Sequence, residues 1–126
     1  MGADQGGARR RRVANALGRE GEELAARWLE RRGYRVVGRD FHGRRGQLDL
    51  ICRRGPAVVL VEVKTRTSSR WGAPAEAVTP AKRRALESAA REYRALAEWR
   101  GPIHFAVVSV LHTASPPQLE LIEHPF

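Results

Sequence analysis

The stretch "GQLDLICRRGPAVVLVEVKTR", Gly46 to Arg66, decides how the chain folds. Two runs rich in apolar and β-branched residues flank Arg54-Gly55-Pro56, which predicts two strands joined by a turn. Each run nevertheless carries charge in its interior, Asp49 in the first and Glu62 with Lys64 in the second. If strands at 47–53 and 58–64 pair antiparallel about Gly55-Pro56, opposed residue numbers sum to about 111. Asp49 then faces Glu62, and Gln47 faces Lys64. Alternation sends Leu48, Leu50, Cys52, Val59, Val61 and Val63 to one apolar face. It gathers Gln47, Asp49, Glu62 and Lys64 on the other, joined by Ile51 and Leu60.

Opposed carboxylates with Cβ atoms about 5 Å apart repel and destabilise the hairpin unless positive charge sits between them. A hard divalent cation such as Mg²⁺ suits such a pair, because it takes oxygen ligands, keeps several waters and needs only one or two carboxylates plus phosphate. Lys64 shares the face of Glu62 and can orient an attacking water or stabilise charge on a phosphate. The competing reading is a solvated cross-strand ion pair on an outer sheet face, with no chemistry attached.

Outward from the hairpin, Met1 to about Ala14 combines glycine with Arg9-Arg10-Arg11-Arg12, lacks a hydrophobic period and reads as a disordered basic arm. Residues 15–126 then form one domain. Leu17, Gly21, Leu24, Ala25, Trp28 and Leu29 share a face at helical spacing, predicting a helix from Leu17 to Arg32 that Gly33 stops. Tyr34 to Phe41 reads as a strand, and His42 to Gly46 as a turn. Thr67 to Val78, with Gly72 and Pro74, reads as flexible. Thr79 as N-cap and Pro80 at the first helical position launch a helix to about Trp99, with Ala85, Leu86, Ala89, Tyr93 and Leu96 as its buried stripe. Gly101-Pro102 ends it, Ile103 to Leu111 is a strand, and a short strand follows around Leu119 to Ile122. The order is α-β-β-β-α-β-β, an α/β class with a central mixed sheet flanked by helices.

At 126 residues and 42% hydrophobic, the chain suits a single core. No apolar run reaches the roughly 18 residues of a membrane span, and no secretory signal stands at the start, so the expected location is the cytoplasm. The lone Cys52 fits a core thiol in a reducing compartment. Charge of +9, from 23 Lys+Arg against 14 Asp+Glu, points toward nucleic acid, although the arginine bias can also reflect genome composition. An apolar strand near the C-terminus and Trp71 are possible homodimer contacts.

An acid, a gap to a second strand, then Glu-x-Lys resembles the PD-(D/E)xK nuclease motif, met by Asp49, Glu62 and Lys64. More closely, the chain resembles the YraN family of small bacterial proteins, placed in the restriction-endonuclease-like superfamily. The resemblance rests on "GREGEELAARWLERRGYRVV" at Gly18 to Val37, "GQLDLI" at Gly46 to Ile51, "VEVKTR" at Val61 to Arg66 and "WGAPAEAVTPAK" at Trp71 to Lys82. It implies a restriction-endonuclease-like fold and a Mg²⁺ or Mn²⁺ site, with Asp49, Glu62 and Lys64 catalytic. Asp49, Glu62, the intervening Val63 and the helix acid Glu22 are the implied metal-site residues. For Glu22, favourable charge near a helix N-terminus is an equal alternative. Arg44, Arg45, Arg66, Lys82 and Arg83 are candidate nucleic-acid contacts, DNA ahead of RNA. The chain departs from the family pattern at Gln47, usually Glu, and at Ala106, usually Asp, which predicts weaker metal binding. The expected function is a Mg²⁺-dependent endonuclease. The alternatives are a non-catalytic nucleic-acid-binding module on the same fold and a protein-interaction scaffold.

Overall fold

The computed structural model describes the backbone of residues 5–66 and 78–126, and their side chains from Ala16 onward. The expected flexible segment, with Trp71, therefore lies outside the described residues except for Val78. Two helices flank a five-stranded sheet: α1 (Gln5–Arg31), β1 (Arg35–His42), β2 (Gln47–Arg54), β3 (Ala57–Arg66), α2 (Pro80–Leu96), β4 (Ile103–Leu111) and β5 (Gln118–Glu123). The strands lie side by side in sequence order. Three of the four pairings are antiparallel, and β3–β4 is parallel across the crossover that contains α2. The α/β class and element order are those the sequence predicts.

α1 begins at Gln5, well before Leu17, and runs into the segment read as a disordered arm. Alanine and arginine from Ala8 to Ala16 favour helix without building an apolar stripe, so periodicity does not reveal this extension. Its far end is as expected: Gly33 has φ +92°, and the Gly33 and Tyr34 N–H groups return to the Glu30 and Leu29 carbonyls. α2 starts as predicted, the Thr79 side chain accepting from the Lys82 N–H and Pro80 following the cap. Leu96, read as part of its buried stripe, is 77% exposed, because the helix ends there rather than continuing to Trp99.

Each sheet face has its own core. Ala25, Ala26 and Leu29 of α1 pack on Leu50, Cys52, Val59, Val61, Ala106, Val108 and Val110. Leu86, Ala89 and Ala90 of α2 pack on Leu48, Ile51, Val58 and Leu60. Cys52 is a free buried thiol in the first cluster, and burial pushes its pKa up to about 12.

The β2–β3 register is the predicted one, with Leu50 opposite Val61 and Cys52 opposite Val59. The face assignment needs one correction: Leu48 lies under α2, whereas Leu50 lies under α1. Two residues apart should mean one face, so simple alternation fails across Asp49. On β1, Asp40 sits between the partners of Leu50 and Leu48 with φ +52°, a left-handed conformation tolerated by Asp. That local turn of the strand pair lies across from Asp49.

Candidate functional site

β2 and β3 stop pairing in simple register at Leu50 and Val61, and beyond that point the Val63 N–H donates to Asp49 Oδ2 at 2.8 Å. A side chain thus replaces the strand partner of a backbone amide. Asp49 and Glu62 are each 6% exposed. Carboxylates buried this deeply are stable only when compensated. Burial, then the charge of Glu62, raises the Asp49 pKa to about 6, against the lowering effects of the Val63 amide, Lys82 and a hydrogen bond from the Gln47 side chain.

Glu62 Oε1 lies 3.1 Å from Lys82 Nζ and 3.7 Å from Lys64 Nζ. Its Oε2 is buried and has no hydrogen-bond partner among the described residues. Lys82 reaches Glu62 because the Thr79 cap and Pro80 fix the first turn of α2 over the α2 face of β3. The sequence offered Lys82 only as a phosphate contact; the structure makes it a partner of Glu62.

α1 contributes through Gly21 and Glu22. A Cβ on Gly21 would overlap Thr65 Oγ1, so glycine is what lets the helix approach β3 beside Lys64. Glu22 then stands within electrostatic reach of Asp49 and shares a side-chain hydrogen bond with Asp40. Burial, followed by Asp49 and Asp40, lifts its pKa to about 7. Because α1 begins at Gln5, Glu22 lies in the helix interior, away from the N-terminal turn that a favourable helix-terminal charge requires. Asp40 is the residue that sequence reasoning missed. The β1–β2 register brackets Asp40 and Asp49 between Arg39↔Leu50 and Phe41↔Leu48, a pairing the sequence alone does not give.

The structure therefore brings together Asp49, Glu62 and Lys64 with Val63, Lys82, Gln47, Glu22 and Asp40 around them. Among the described residues no three His, Cys, Asp or Glu side chains converge as a metal-ligand cluster. Of the proposed nucleic-acid contacts, Arg44 and Arg45 lie on the β1–β2 turn, whose Arg44 N–H donates to Glu92 Oε2 of α2 at 2.7 Å. Arg83 pairs with Glu87 at 3.3 Å and stacks over Phe126. Arg66 ends β3 beside Ser109 and Gln118.

Ala106 corrects one expectation. It pairs with Val61 and is buried in the α1-side core, whereas Glu62 belongs to the opposite face. An acid at this position would not face Glu62 and Lys64, so its loss does not weaken that pair.

A profile of the Uncharacterised protein family UPF0102 matches residues 21–110. The UPF0102 protein of Syntrophomonas wolfei is 49% identical over 96 residues, covering 75% of this chain and 84% of that protein. The one from Anaeromyxobacter dehalogenans is 46% identical over 107 residues, 83% of this chain and 79% of its own length. The Geobacter metallireducens protein is 40% identical over 114 residues, covering 88% and 92% of the two chains. The matched span runs from Gly21, beside the helix acid, through both carboxylate strands to β4, and the chain belongs to the UPF0102 family.

Proposed function

We propose that this protein binds nucleic acid and hydrolyses its phosphodiester bonds with the help of Mg²⁺ or Mn²⁺, on a restriction-endonuclease-like fold. The observation that carries the reading is Glu62 Oε2, a carboxyl oxygen buried without a hydrogen-bond partner among the described residues, next to a second buried carboxylate. An orphaned acceptor costs roughly 1–3 kcal/mol or more when charged, and a cation removes that cost. The donor chemistry fits: Asp49 and Glu62 offer carboxylate oxygens, and hard ions that keep several waters need no more than two from the protein. When bound, such an ion lowers the pKa of water and neutralises charge on a phosphate.

The residues of the chain do the rest. Asp49 and Glu62 would hold the ion, with Gln47 and the Val63 amide orienting Asp49. Lys64, partly exposed and 3.7 Å from Glu62, would position the attacking water and the scissile phosphate. Lys82 would balance Glu62. Helix α1, held close through Gly21, would close the site on the Glu22 side.

A non-catalytic nucleic-acid-binding module is favoured by one fact, the pairing of Glu62 with two lysines, which already supplies a structural use for its charge. Calorimetric titration with Mg²⁺ and Mn²⁺ separates the readings. Wild type should bind, Glu62→Gln should lose at least tenfold in affinity, and a panel of labelled duplex, junction, flap and RNA substrates should reveal metal-dependent cleavage. Equal affinity in wild type and Glu62→Gln would remove the metal site. Gln47→Glu adds an anion beside Asp49, so it should bind metal more tightly than Gln47→Ala and melt lower without it. No difference between these two variants would place Gln47 outside the site.

A further inference from the structure

The β1–β2 turn and α2 border an open groove of about 380 Å³, lined by Arg45, Arg84, Ser88 and Arg91 together with Glu87. The turn is fastened to the helix. Gly46 lies so close to Ala85 that a Cβ would overlap its carbonyl oxygen, and Glu92 accepts the Arg44 N–H. The groove's three arginines are exposed, and none takes part in an ion pair among the described residues. Its single acid, Glu87, is paired with Arg83 at 3.3 Å.

Three exposed guanidinium groups held together repel one another, and the acid in the groove is already paired with Arg83. Their arrangement matches a linear polyanion. Arg84 and Arg91 are seven residues apart, so about 10 Å separates them along one side of α2.

We infer that this groove binds the phosphodiester backbone of the nucleic acid. The inference rests on the nucleic-acid reading above and adds to it a defined groove, with Arg84 and Arg91 as its phosphate contacts. Arginine suits the task because its planar fork donates two parallel hydrogen bonds to phosphate oxygens. Ser88 adds a neutral donor between them.

The test is fluorescence anisotropy of labelled duplex and single-stranded DNA in EDTA, between about 50 and 200 mM salt. Three proteins are compared: wild type, Arg84→Gln/Arg91→Gln, and Arg19→Gln/Arg31→Gln, which loses the same charge from α1. The groove variant should bind at least about tenfold more weakly at 0.1 M salt, with its plot of log K against log salt flattened by about 1.8 on duplex or about 1.4 on single strands. The strand form giving the larger loss identifies the natural occupant. The α1 variant should follow wild type. If wild type binds and the two variants have the same slope, the groove inference fails while the nucleic-acid reading stands. If wild type binds neither oligonucleotide, both fail.

Discussion

Asp49→Asn should melt clearly above wild type at about pH 8 while losing most of its affinity for divalent metal. The folded protein holds Asp49 at a pKa of about 6 against an ordinary value of 3.8, chiefly through burial and the neighbouring Glu62 charge. A raised carboxylate pKa means that the folded state binds protons more tightly than the unfolded one. Its stabilising effect is complete below about pH 4 and disappears as pH rises through about 6, so wild type loses stability over that window. Two pKa units correspond to roughly 3 kcal/mol. Allowing for relaxation around the site, the neutral isostere should gain on the order of 2 kcal/mol at alkaline pH and nothing near pH 4. Asn can still accept the Val63 N–H, so the gain is not offset by an orphaned amide. Thermal melts across pH decide the matter. A variant less stable than wild type at pH 8 would mean that the ionised hydrogen bond outweighs the repulsion. Glu22→Gln should shift stability in the same direction by less, since Glu22 is more exposed.

The second large effect is expected at Gly46→Ala. An added Cβ would lie 2.7 Å from the carbonyl carbon of Ala85 and closer to its oxygen. Both are helix backbone atoms, so the β1–β2 turn must lift away from α2. Overpacking of this kind costs about 1–3 kcal/mol, and here the upper part of that range is expected. Gly43→Ala provides the comparison, because its Cβ would meet Glu92 Oε2, the end of a side chain that can rotate. Denaturant unfolding should rank Gly46→Ala well below Gly43→Ala. Similar stabilities would show that the turn is not seated on the helix as described. Nucleic-acid affinity should fall with Gly46→Ala as well, since Arg44 and Arg45 move with the turn.

Much of this fold can be read from the chain because its signals are local. The Arg54-Gly55-Pro56 turn fixes the β2–β3 register, and Thr79-Pro80 fixes the start of α2. Those two facts alone bring Asp49, Glu62 and Lys64 together and place Lys82 nearby. What escaped reading depends on non-local or irregular geometry. The left-handed Asp40 breaks the alternation that would have kept Leu48 with Leu50, and no side-chain pattern announces it. The face of Ala106 follows from a parallel pairing to β3 that only the crossover establishes. The early start of α1 is set by backbone preference in a segment without an apolar stripe.

The register shift between Val36 and Gly38 matters for what this protein avoids. β1 is one outer edge of the sheet, and an even row of unused amides and carbonyls there would template a strand from another chain. The shift interrupts that row near its start, and Arg35 and Arg39 stand exposed on either side. At the opposite edge, Glu120 and Glu123 charge β5, and Glu123 accepts from Tyr34 Oη, itself bonded by Arg54. Both borders are thus guarded against aggregation by different means, an irregular backbone with arginines on one and exposed acids on the other.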